Sequence, residues 1–242
     1  MLAIVLAGLL AAPAHAGVRP GARVPDLPDV ARLVVERSNT FRHENGLAAV
    51  GTSERLTAAA AAFAAYLART DRFSHEADGR EPADRATAQG YAYCMVAENI
   101  ALEGSSEGFA TGELAQHFVE GWIHSPGHRH NLLAADATDT GVAIAYGQRS
   151  DRYYAVQMFG RPEALRVRFD VVNRSRETVS YRIGDEQFPL PPGVRRTHTL
   201  CGPEAMVMQL HPEGGRPLEL RPANGAHYRV EPAGPTLRLV GG

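Results

Sequence analysis

The sequence contains no lysine: all 25 of its basic residues are arginine, set against 27 acidic ones. We read this bias as codon usage, without functional content. The near balance leaves a formal net charge of −2. Nucleic-acid binding needs a clustered basic face, and none is legible, so we expect no nucleic-acid partner. Cysteine is scarce. Cys94 and Cys201 allow at most one intramolecular disulfide. No internal repeat or low-complexity tract is present. The 242 residues suffice for one large domain or two modest ones.

A long apolar run opens the chain, "MLAIVLAGLLAAPAHA". It is too short to span a bilayer comfortably, and it ends in the small-x-small pattern Ala14-His15-Ala16. A polar, proline-rich stretch follows. We expect a secretory signal at residues 1–16, cleaved near Ala16, and hence a secreted or periplasmic protein. No basic residue precedes the apolar core, so either the true start lies upstream or the terminal amine serves alone. A retained membrane anchor is the alternative. In an exported protein Cys94 and Cys201 are free to pair. Their pairing would staple two domains together, and spacing alone does not decide it.

The next segment, 17–28, reads as a linker. A helix is expected from Asp29 as N-cap, with Val30, Leu33, Val34 and Phe41 at helical spacing, ended by Asn45-Gly46. A second helix should start near Thr52 or Ser53, with the stripe Leu56, Ala60, Phe63 and Leu67. A third should run from about Thr111 to His124, with Leu114, Phe118 and Trp122 on its buried side and Pro126-Gly127 breaking it. Between the second and third lies a long polar stretch read as loop-rich, and long loops in compact domains are usually functional. Two strands, "TGVAIAYG" and "YYAVQMFG", follow. Helices and then strands without regular alternation suggest an α/β sandwich. From about Leu165, short alternating runs separated by Gly, Pro and Asn predict a small all-β domain, a sandwich or an open barrel.

The densest chemistry is "GWIHSPGHRHN", Gly121–Asn131, with His124, His128 and His130. His124 and His128 have the spacing of a helical zinc pair, but Pro126-Gly127 lies between them, so a zincin-type site is not expected. His117, Glu120 and His124 share one helix face, which reads as solvated, with an accessory metal site as the alternative. His128 follows the Pro-Gly break, so its partner must come from elsewhere. Two candidates stand in the polar stretch: His75 in "FSH", and Glu98 with Asn99 in "ENIA". Two imidazoles suit zinc or a similar ion. A carboxylate beside them can ligate, orient an imidazole, or act as a base on bound water. Taken singly, each is more often a buried structural polar group.

Taken in order, "SNTFRHENGL", "FSH", "PADRATAQGY", "AENIA", "GWIHSPGHRHNLL", "TGVAIAYG" and "AVQMFG" resemble the bacterial branch of the CAP superfamily of cysteine-rich secretory, antigen and pathogenesis-related proteins. The resemblance covers about residues 29–160. It implies a three-layer α-β-α sandwich at 29–162, with the small β-sandwich-like domain at 163–242 appended. It also implies a cleft in which His75 and His128 hold a divalent ion, zinc foremost, beside Glu98. Arg85, Asn99, Ser125 and Asn131 are implied as supporting cleft residues. His124 and His130 would be surface neighbours. Eukaryotic members carry a second cleft glutamate where this chain has Ser125. Glu120 is a poor stand-in, lying roughly 140° around the helix. Ser125 reads better as an N-cap for the turn bearing His128 than as a nucleophile, since no Ser-His-Asp set is legible. Arg85, Asn131, Asn39 and Arg42 are expected to brace by hydrogen bonds.

Two functions follow. One is a binding module for a lipid-like, glycan or cell-envelope ligand, its β-domain offering a contact surface to a protein or envelope partner. The other is a metal-assisted hydrolase with Glu98 as general base, which has one protein ligand fewer than catalytic zinc usually has. We favour the first.

Overall fold

A computed structural model describes residues 23–202, 206–209, 216–234 and 236–241. The expected signal segment and the start of the linker lie outside these. Helix α1 spans Leu27–Glu44, not from Asp29 as the sequence suggested. Asp26 is the N-cap, accepting from the Asp29 amide at 3.0 Å. Pro28 fits the first turn, where its missing N–H is no loss. Helix α2, Glu54–Thr70, is capped by the Ser53 hydroxyl and preceded by a two-residue strand, β1 (Gly51–Thr52).

The stretch read as loop holds two elements. Helix α3 is Pro82–Ala88, and strand β2 is Tyr93–Glu103, eleven residues long. A strand packed by helices on both faces loses the polar–apolar alternation that marks half-buried strands. Glu98 and Asn99 then interrupt what apolar run remains. Helix α4 covers Thr111–His124, as expected. Pro126-Gly127 ends it, but no tight turn follows: Pro126 starts a new helix, α5 (Pro126–Leu132).

Strands β3 (Asp139–Gly147) and β4 (Arg152–Pro162) complete a four-stranded sheet of order β1-β3-β4-β2. Strand β4 alternates cleanly. Tyr153, Ala155 and Phe159 join the core under α1, α4 and α5, while Tyr154, Val156 and Met158 join the core under α2. This is the three-layer α-β-α arrangement. The buried Leu56, Phe63 and Leu67 of α2 contribute on the order of 1.5–3 kcal/mol each by apolar burial. Gly141 allows α2 to lie on β3, since a Cβ there would stand 2.2 Å from the Thr57 nitrogen.

Arg42 is buried on α1 and donates to the carbonyls of Ala48, Leu132, Ala134 and Ala137 at 2.9, 2.8, 2.9 and 3.4 Å. It thereby pins the end of α5. Asn39 exchanges two hydrogen bonds with the backbone of Val50. Both residues brace, as their sequence context suggested.

After a 3-10 turn at Glu163–Leu165 come β5 (Val167–Asn173), β6 (Val179–Ile183), β7 (Glu186–Leu190), β8 (Arg195–Leu200), β9 (Met206–Gln209), β10 (Leu218–Leu220), β11 (His227–Ala233) and β12 (Thr236–Val240). They form two four-stranded sheets, β10-β9-β6-β7 and β12-β11-β5-β8. Phe169, Val171 and Val230 of one sheet pack on Tyr181, Ile183, Leu190 and Met208 of the other. The architecture is a sandwich, not an open barrel. Cys94 of β2 and Cys201, just after β8, are joined by a disulfide. The Gly202 backbone also abuts Asp136, where a Cβ would come within 2.3 Å of the carboxylate.

Candidate functional site

Strand β2 is an edge of its sheet. Glu98 and Asn99 are consecutive on it, so their side chains leave opposite faces. Glu98 pairs across with Met158 and Asn99 with Gln157. Met158 belongs to the α2 side and Gln157 meets Ser38 of α1. The two adjacent polar residues therefore brace the two helical layers from one strand, and each holds one of the histidine segments.

On the α2 side, the helix ends at Asp71 in the left-handed conformation, with His75 four residues on. The Glu98 carboxylate is fully buried and accepts from His75 Nδ1 at 2.9 Å. Arg85, from α3, donates through Nη2 to both Glu98 oxygens at 2.8 Å and to the His75 carbonyl at 2.9 Å. Its Nη1 reaches Asp78 at 2.8 Å, and the guanidinium lies over the Phe63 ring at 3.6 Å. Asp78 and Phe63 carry no sequence signal for this role. Phe63 reads only as part of an apolar stripe. Arg85 thus sits at the centre of this cluster, bonded to Glu98, Asp78 and the His75 carbonyl.

On the other side, His128 sits in the first turn of α5. Asn99 is wholly buried and donates to the His128 carbonyl at 3.1 Å. Asn131 donates to the Glu98 carbonyl at 3.1 Å and to Asn99 Oδ1 at 2.9 Å. Trp122 of α4 closes the layer by donating its indole N–H to the Ile100 carbonyl at 3.0 Å. Ser125 is the N-cap of α5 by position, but its side chain makes no capping bond; the Arg129 amide bonds to the Ser125 carbonyl.

The two imidazoles face one another with ring centroids 6.2 Å apart. Burial, and then the neighbouring His75, hold His128 below the ordinary histidine range, which favours its neutral form. The Glu98 carboxylate takes the Nδ1–H of His75, so in the neutral ring Nε2 is the acceptor, the tautomer that a ligating histidine needs. With Zn–N bonds of about 2.1 Å, rings sharing a zinc stand on the order of 5–6 Å apart. The two imidazoles are donors of the right chemistry, but at 6.2 Å they stand just beyond that spacing and would have to draw slightly together to share a divalent ion, with positions left for solvent or ligand. Glu98 is not a third ligand here, because both of its oxygens are engaged. Among the described residues, no group of three or more His, Cys, Asp or Glu could hold a metal.

The other histidines lie apart. His124 is exposed and bonds through Nδ1 to the Glu120 carbonyl at 2.7 Å. His117 stands 3.8 Å from Glu103, and His130 is exposed.

The model of the cysteine-rich secretory protein family, CAP, matches residues 35–159. Among solved structures, an outer surface protein from Borrelia burgdorferi aligns with a TM-score of 0.50 at 17% identity, over 57% of this chain and 96% of that one. An extracellular protein containing an SCP domain from Bacillus anthracis str. Ames aligns at 24% identity and a TM-score of 0.47, over 56% of this chain and 41% of that one. A cysteine-rich secretory protein from Staphylococcus aureus aligns at 20% identity and a TM-score of 0.42, over 56% of this chain and 39% of that one. At 17% identity the likeness to the Borrelia protein is one of fold. No curated protein matches the chain.

Proposed function

The chain belongs to the cysteine-rich secretory protein family, and on that premise we propose that it is an exported binding module whose cleft holds a divalent ion, zinc by preference, on His75 and His128. One observation carries this reading: the buried Glu98 holds Nδ1 of His75 and leaves Nε2 without a partner among the described residues, with the His128 ring centroid 6.2 Å from that of His75. The His75 side chain is 44% exposed, so a ligand from solvent can reach it. When bound, the ion supplies a Lewis-acidic point for an oxygen of an envelope-derived or lipid-like ligand. The chain's own residues do the positioning. Arg85 and Asp78 fix Glu98, Glu98 fixes His75, and Asn99 with Asn131 fix the turn that carries His128.

Export is supported by the apolar leader pattern and by the Cys94–Cys201 disulfide, a bond that persists in oxidising compartments. The C-terminal sandwich serves as a second contact surface. The same Glu98 bonds weigh against a hydrolase, since a general base needs a free oxygen near the attacking water.

The test is zinc titration of the purified protein beside His75→Ala, His128→Ala and His124→Ala. We expect saturable binding, lost in the first two variants and kept in the third. No binding, or loss only with His124→Ala, would overturn the assignment.

A further inference from the structure

A pocket of about 310 Å³ is lined by α2, α3 and the loop residues Asp78 and Arg80 between them. Its charged walls are Arg69, Arg80, Arg85 and Asp78, and its apolar walls include Phe63 and Tyr66. Asp78 is already engaged by Arg85. No carboxylate among the described residues pairs with Arg69 or Arg80, and Arg69 instead lies over the Tyr66 ring at 5.5 Å. Arg85 is 4% exposed, and its Nε–H has no acceptor among the described residues. That N–H is sealed from solvent, with the guanidinium against the Phe63 ring, so Arg85 serves as a wall of the pocket and the accessible cations are Arg69 and Arg80. The pocket thus presents, against the Tyr66 ring and alanine surface, two guanidinium groups without a carboxylate partner among the described residues.

We propose that this pocket binds a small organic oxyanion with a flat apolar body. Its head is taken by Arg69 and Arg80, and its body lies along Tyr66 beside Ala62 and Ala88. Guanidinium groups match the planar geometry of carboxylate and phosphate oxygens. The volume sits at the lower end of small-molecule sites, where a few placed polar groups orient a mostly apolar ligand. A bare ion would leave the aromatic wall unused. A neutral ligand would leave the arginines unused. This site is independent of the ion proposed for the cleft, although Arg85 touches both.

The experiment is calorimetric titration of phenyl phosphate and benzoate into metal-free protein, with phenol and inorganic phosphate as the separated halves. We expect at least one of the two intact probes to saturate below about 1 mM, and each half to bind at least about tenfold more weakly. Arg69 and Arg80 are exposed, and their only recorded side-chain contact among the described residues is that of Arg69 with the Tyr66 ring, so Arg69→Ala/Arg80→Ala should fold and bind about tenfold more weakly. His75→Ala/His128→Ala should bind as the parent does. The proposal is overturned by absence of saturation with both probes, by inorganic phosphate binding as tightly as phenyl phosphate, or by unchanged binding in the arginine variant. Loss in the histidine variant overturns it as well, since that would place the anion in the cleft.

Discussion

Glu98→Gln is the sharpest perturbation of the cleft. The glutamate Oε1 accepts from His75 at 2.9 Å and from Arg85 at 2.8 Å, and Oε2 accepts from Arg85 at 2.8 Å. Glutamine offers one acceptor and one donor. With its oxygen at the Oε1 position, its NH₂ group meets the Arg85 N–H donor head-on. With its oxygen at the Oε2 position, its NH₂ group meets His75 Nδ1, which must then accept, and the imidazole proton moves to Nε2. Either arrangement removes the charge and sets an NH₂ group against an Arg85 donor, so the buried ion pair is lost in both, and the second also removes the lone pair that would hold a metal. Removing one partner of a buried pair costs about 3–5 kcal/mol. Asp78 still faces Arg85, so we expect the lower end, about 3 kcal/mol. At about 2–4 °C per kcal/mol for a protein of this size, Tm should fall by on the order of 6–12 °C. Loss of the orienting carboxylate should also weaken zinc binding by about 10–100-fold. Urea unfolding followed by circular dichroism and a zinc titration read the two effects. A stability loss below about 1 kcal/mol with unchanged zinc affinity would refute the orienting role. Abolished turnover of some substrate with zinc affinity intact would instead favour the general-base reading.

Two further outcomes are expected. The Cys94–Cys201 bond spans 107 residues, and the chain-entropy model assigns about 4–5 kcal/mol to a loop of that length. Replacing both cysteines by serine should therefore lower the urea midpoint clearly, and an unchanged midpoint would show that the sandwich is held to β2 without the crosslink. The other outcome concerns pH. His198 is buried in the sandwich against Phe169, Phe188 and Tyr181, with Nε2 2.6 Å from the Tyr181 hydroxyl. Burial foremost, and then Arg196, push its pKa below the ordinary value, with Glu186 opposing weakly. The unfolded chain takes up this proton below about pH 6.5 while the folded one does not until lower pH. The unfolded state therefore binds more protons in that window, so stability is full above it and falls as pH drops through it. His128 acts in the same direction. His198→Gln should flatten part of the decline in urea midpoint between about pH 7 and 5, and an identical slope in both proteins would refute its contribution.

Much of the fold is legible one element at a time. The apolar stripes of α2 and α4, the Ser53 cap and the strand β4 are local patterns, and each appears where its pattern lies. The misreadings have local causes too. β2 hides because both of its faces are packed and because two polar residues interrupt it. α5 hides because Pro126-Gly127 reads as a break, although proline ends one helix and begins another equally well. The last strand, Thr236–Val240, carries no distinct signal of its own; it gains its place by pairing with β11.

The cleft divides along the same line. Residue types, and the order of motifs that resembles the CAP superfamily, were enough to single out His75, Glu98 and His128 as candidates. Their relation was not local. Only the tertiary structure set consecutive residues of an edge strand against opposite helical layers, sent Arg85 from a separate helix onto both oxygens of Glu98, and brought Asp78 to anchor it. The pairing of Cys94 with Cys201 was decided the same way, by two segments 107 residues apart meeting at the sheet edge. Local sequence sets propensity and face. Which faces meet, and hence which carboxylate aims which imidazole, follows from the packing of layers around one buried sheet.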